Sequence, residues 1–173
     1  MKLRAAVKLL NGRMSMPPAM RYPAYRNYWL GMLGSVTGFQ LFFYGQLWLI
    51  VELTGSPLFL GYVGLANAVP AILLNLVGSV FADKFDRRKL LVITQTLSGL
   101  LIFLLATLVM LSWVQVWHVI VIAFFAGGVN AFDQPVRRAL FPQLIERKDM
   151  MSAVALSSTI WQGTRIIAPA IAG

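Results

Sequence analysis

The sequence of 173 residues has no cysteine, one histidine and six acidic residues. Without cysteine there are no disulfides and no thiolate metal sites, and the redox compartment goes unmarked. There is also no P-loop and no glycine-rich turn after a strand. No catalytic constellation remains, so the expectation is a non-enzyme with no catalytic residue, no cofactor and no metal site. A metal cluster of Asp83, Asp86 and Asp133 is excluded because the Lys and Arg crowded around them would repel a cation. Charge of either sign is scarce, at 12% of residues against about a quarter in a soluble domain.

Apolar residues are abundant: 58% of the chain is hydrophobic, and the mean hydropathy is +0.73. They come in runs of about 20, the length that spans a bilayer as a helix. The expected fold is all-α, a polytopic membrane helix bundle with about five transmembrane helices. Their approximate bounds are 29–51, 58–82, 90–111, 116–132 and 153–173. Residues 1–28 form a basic N-terminal segment in which Leu3, Val7, Leu10 and Met14 recur at helical spacing opposite Lys2, Arg4, Lys8 and Arg13. That pattern fits an amphipathic helix on an anionic leaflet, or else a loose cationic tail. Lys8 interrupts the one stretch that could serve as a signal-peptide core. Tyr25, Tyr28 and Trp29 read as an interfacial anchor before the first span, and Gly55 and Pro57 break the helix after it.

The net charge of +9 would suit nucleic acid, but no basic face with interleaved aromatics exists. Its distribution reports topology instead. Of the 15 Lys and Arg, six precede the first span, four lie between spans two and three, and four between spans four and five. The turns after spans one and three carry none. Under the positive-inside rule the N-terminus is cytoplasmic. The expected location is the bacterial inner (plasma) membrane, multi-pass, with the lipid bilayer as a partner and no nucleic acid.

Acidic residues contribute little to orientation, so Asp83 and Asp86 in "GSVFADKFDRRKLLVI" need another reason. An Asp in the last turn of a helix opposes the helix dipole unless a cation or a helix N-terminus faces it. Such a contact, made in one conformation and broken in another, would act as a latch. "GSVFADKFDRRK" resembles the loop between the second and third helices of the major facilitator superfamily, roughly Gly-x-Leu-Ala-Asp-Arg-x-Gly-Arg-Arg. Asp83, Lys84, Arg87 and Arg88 match its charged positions, while Ser79 stands where the first Gly would be, next to Gly78, and Asp86 replaces the central Gly. Residues 129–173, "YRNYWLGMLGSVTG" and "LWLIVELTGSPLFLGYVG" are similar to the branch of transmembrane secretion effectors that includes bacterial siderophore (enterobactin) exporters, with Ala168 where that branch has Gly.

The resemblance covers residues 25–173. It implies two six-helix bundles of inverted three-helix repeats with substrate between them near midplane. It also implies a cytoplasmic gate of Gly78, Asp83, Arg87 and Arg88, with Asp133, Arg137 and Arg138 as an equivalent charged turn after span four. Charge solvated by lipid headgroups is the plainer reading of the same residues. The superfamily's buried arginine in the fourth helix is not visible between 116 and 132, so proton antiport rests on analogy alone.

Within the spans, Gly31, Gly34, Gly38 and Gly45 recur at near-helical spacing, for close helix packing or for lining a cavity. The neutral polar groups, Gln46 among them, are expected to hydrogen-bond across helix interfaces, and Gln40 and Gln162 are candidates for a pocket. Arg165 lies deep in span five, where a charge costs about 2.5–3.5 kcal/mol. It could pair with Glu52, bind an anionic substrate group, or snorkel to the interface. His118 sits between Trp117 and Val119 and reads as interfacial.

Five spans fall short of one complete six-helix bundle. The expectation is therefore an incomplete N-terminal half of a 12-helix secondary transporter, an exporter of a small-molecule substrate that lacks its C-terminal helix bundle. The alternative is a small non-transporting membrane scaffold or subunit, or an inactive truncated product.

Overall fold

The computed structural model describes the backbone of residues 17–84 and 86–172, and the side chains of 17–75 and 86–167. After a 3-10 turn, Pro18–Arg21, come five helices: α1 (Pro23–Thr54), α2 (Leu58–Lys84), α3 (Arg87–Met110), α4 (Val116–Leu140) and, past two more 3-10 turns at Phe141–Gln143 and Arg147–Asp149, α5 (Met150–Ala172). The all-α bundle expected from composition is what forms. Among the described residues, four helices, α1 to α4, are long and apolar enough to cross a membrane. Large apolar side chains such as Ile72, Phe103 and Met110 point outward, as they do where the solvent is lipid.

Each break has a local cause. Gly55 takes the left-handed conformation (φ 62°) that closes α1, and its N–H bonds the Val51 carbonyl. Asp86 is the N-cap of α3, accepting from the N–H groups of Arg88 and Lys89 at 2.9 and 3.3 Å. A cap of this kind contributes about 1 kcal/mol. That is a sufficient reason for this carboxylate without any latch. At the far turn, Gln115 and His118 cap α4 reciprocally, and Trp117 donates to Gln115 at 2.7 Å. His118 therefore has a capping role.

Two parallel helix pairs organise the bundle. Along α1 and α5, Tyr25 meets Ala153, Trp29 meets Leu156, and Met32 and Val36 meet Ile160. Tyr25 is fully buried and donates to the Ala153 carbonyl at 3.0 Å, so it fastens two helices and is no lipid-interface anchor. Along α2 and α4, Gly127 lies against the Asn67 backbone and Gly128 against Pro70 and Leu74. Exchanging α1 with α4 and α2 with α5 maps one pair onto the other, the relation expected of inverted repeats. The alternating directions gather the described basic turns at one end of the bundle, where Arg87 donates to the Ala139 carbonyl at 3.0 Å. At the opposite end Phe42, Ile50, Val63, Leu105, Val119 and Ile122 form the main core.

The glycine stripe of α1 plays a different part from close packing. A Cβ at Gly31, Gly34, Gly38 or Gly45 would meet nothing within 4 Å. Close packing falls instead to Gly127.

The entry to α1 is tied down by Tyr22, whose hydroxyl donates to Asp149 at 2.9 Å. Partial burial, then this bond and the Asp149 charge, raise the Tyr22 pKa above its ordinary 10.0. The folded chain keeps that proton longer than the unfolded chain. The contribution to stability is complete below about pH 10 and falls as pH rises through the raised folded value. Tyr22→Phe is expected to flatten the alkaline limb of a melting-temperature series; an unchanged limb would assign the loss to other groups.

Candidate functional site

Helix α4 does not end at residue 132. It continues through Pro135 to Leu140, so Asp133, Arg137 and Arg138 lie on its last turns and form no loop. The helix survives a proline and two charges because its buried face finds partners. Asp133 Oδ1 accepts from Thr94 at 2.9 Å and from Gln95 at 2.7 Å, both on α3. Its Oδ2 accepts from Arg137 Nε at 2.5 Å, one turn along the same helix. Arg137 Nη2 donates in turn to Ser35 of α1 at 2.9 Å.

Asp133 and Arg137 are only 9% and 8% exposed, which makes them the buried charges among the described residues. One ion pair thus joins three helices at the basic end. Burial raises the stakes of such a network, because a satisfied pair holds the helices in register while a broken one leaves a charge in a poor solvent.

Two cavities flank the pair, and Arg137 and Trp161 line both. The smaller, about 260 Å³, lies between α1, α3 and α4 with Gly34, Gly38, Gln95, Asn130 and Asp133 in its wall. Lining a cavity is therefore what two of the α1 glycines do. The larger, about 490 Å³, opens between α1, α4 and α5, bounded by Tyr28, Arg138, Phe141 and Ser158.

The other candidates are dispersed. The surroundings of Gly78 and the side chain of Asp83 fall outside what is described, and so does the 1–16 segment. Arg88 is exposed at the start of α3. Gln40 is half-buried and lines neither cavity, while Gln162 is exposed on α5. Glu52 and Arg165 are both exposed, and no ion pair joins them among the described residues. Parallel packing sets Arg165 level with about residue 38 of α1, roughly 20 Å short of Glu52 along the axis. Gln46, expected to bond across an interface, is buried with neither amide atom partnered among the described residues.

What the sequence reading missed is a buried arginine in the fourth helix, at Arg137, beyond the span drawn from hydropathy. The signal was present: Asp133 and Arg137 are four apart, the spacing of a helical ion pair.

Residues 15–173 match the transmembrane secretion effector family. The chain belongs to that family. The staphyloferrin A transporter of Staphylococcus aureus is 32% identical over 130 residues, covering 75% of this chain and 33% of that protein. Macrolide efflux protein A of Streptococcus pyogenes is 22% identical over 144 residues, 83% of this chain and 36% of that protein. A multidrug efflux pump of Mycolicibacterium fortuitum is 26% identical over 132 residues, 73% and 32%. This secretion effector chain spans about a third of the length of the curated relatives it matches. No solved structure matches it. These relatives are transporters of the major facilitator type, and the helices of this chain have the length and composition of a membrane-spanning bundle.

Proposed function

We propose that this chain forms the first part of a secondary active exporter that moves a small molecule, siderophore or drug-like, by alternating access. In this reading it sits in the bacterial plasma membrane with the basic end in the cytoplasm, and a second helix bundle supplies the other wall of the substrate path. The observation that carries the reading is the buried Asp133–Arg137 pair between two cavities, inside helices whose outer faces are apolar. Ionisable groups inside a membrane bundle are expensive and mark substrate or ion pathways. The efflux proteins among the relatives support the outward direction. Arg87, Arg88, Asp133, Arg137 and Arg138, with Gly78 and Asp83, form the cytoplasmic gate. The contact from Arg87 to the end of α4 and the ion pair below it are what must rearrange when the gate opens.

The test uses everted vesicles energised by respiration. Vesicles carrying the longer two-bundle protein are expected to accumulate macrolide or ferric-siderophore probes saturably and in an uncoupler-sensitive way. Vesicles carrying this chain alone are expected to accumulate none. Uptake by the chain alone would refute the need for a second bundle, and no uptake by the longer protein would refute export.

A further inference from the structure

We infer that the cavity between α1, α4 and α5 binds an organic anion with an apolar body, its acidic group held by Arg138 and Arg165. This deepens the exporter reading by naming the substrate class. The cavity of about 490 Å³ falls within the range that encloses drug-sized ligands. Tyr28, Phe141 and Trp161 give it broad aromatic surface, and Ser157 and Ser158 supply hydroxyl donors.

Among the described residues its charge is unbalanced. Arg137 is already neutralised by Asp133, so it adds no net charge. Arg138 is exposed, and its guanidinium makes a long 3.5 Å contact with the neutral Gln134 amide oxygen. Among the described residues, the carboxylates that might have balanced it are engaged elsewhere: Asp86 caps α3, Glu146 pairs with Lys148, and Asp149 accepts from Tyr22. Glu52 lies at the other end of α1.

Arg165 lies outside this lining, one turn beyond Trp161 on α5. Val154, Ser158 and Trp161 line the cavity from α5, and Arg165 follows at the next step of that 4-3-4 spacing, so it shares their face. It is exposed, and no ion pair or hydrogen bond holds it among the described residues. A guanidinium at that depth is costly unless it faces water or an anion. Arg138 and Trp161 both line the cavity and Arg165 lies one turn beyond Trp161 on α5, so an anion moving inward passes from one planar fork to the other. Carboxylates and sulfonates match that fork in geometry and charge.

Fluorescein and rhodamine 123 share a xanthene skeleton and carry opposite charge, so they isolate the electrostatic part. The whole chain, in nanodiscs of neutral phosphatidylcholine, is titrated against each dye by fluorescence polarisation, with empty discs as the control. Saturable fluorescein binding is expected, tighter than that of rhodamine 123. Arg138→Gln and Arg165→Gln are each expected to weaken it about ten-fold, the scale of one hydrogen bond to a charged group. Arg138→Lys, which keeps the charge, should lose less. Tighter rhodamine binding, or unchanged fluorescein affinity in both Gln variants, would overturn the inference. Displacement of fluorescein by phosphatidylglycerol added to the discs would assign the site to a lipid headgroup and overturn a soluble substrate. Binding is read without transport, so a protein that binds fluorescein but exports nothing refutes the exporter reading alone.

Discussion

Arg137→Ala is expected to destabilise the bundle by roughly 3–5 kcal/mol, the cost of leaving a buried charge without its partner. Asp133 would keep its bonds from Thr94 and Gln95, but its charge would lose the guanidinium at 2.5 Å, and Ser35 would lose its donor from α4. The double variant Asp133→Asn with Arg137→Gln removes both charges and keeps hydrogen-bonding groups of similar size. It should recover most of the loss, because neither remaining group is ionised in a poor solvent. Unfolding in mild detergent by added dodecyl sulfate, run as a double-mutant cycle, measures the coupling directly. A loss from Arg137→Ala of under about 0.5 kcal/mol, the range of a water-screened surface pair, would contradict the buried network.

Gly127→Ala is expected to be nearly as damaging, although it adds a single methyl group. A Cβ on Gly127 would overlap the Asn67 carbonyl oxygen, and it would lie 2.8 and 2.9 Å from that residue's carbonyl carbon and Cα. Those atoms are backbone of the facing helix, so no rotamer change relieves the clash and α2 must move away from α4. The cost should reach or exceed about 3 kcal/mol, the upper end for overpacking. Gly38→Ala is the control. There a Cβ meets nothing within 4 Å, and alanine's better helix propensity, by about 1 kcal/mol, should make the change neutral or mildly stabilising. Equal losses in the two variants, by the same detergent assay, would disprove the close α2–α4 approach.

The Gly127 case shows why some of the site was hidden in the sequence. Six glycines in α1 and α4 look alike as letters, yet their roles diverge because the Asn67 backbone, 60 residues away, closes on Gly127 alone. The end of α4 shows the converse. Asp133, Pro135 and two arginines in a row look like the end of a span, since nothing in that segment says how their charges are met. The answer lies on α3 and α1, at Thr94, Gln95 and Ser35. Asp86 is the legible case: an Asp one turn before the apolar run that starts at Leu90 is a helix-start signal.

Taken alone, the sequence determined that the chain is a stack of apolar helices with its basic turns on one side. Hydrocarbon thickness and the need to satisfy every backbone amide within the segment leave no other arrangement for runs of that length. The tertiary structure alone decided which helices touch, where α4 stops and which charges are buried. Those outcomes depend on contacts between residues far apart in the chain, such as Ser35 with Arg137 and Tyr25 with Ala153, and no local pattern encodes them.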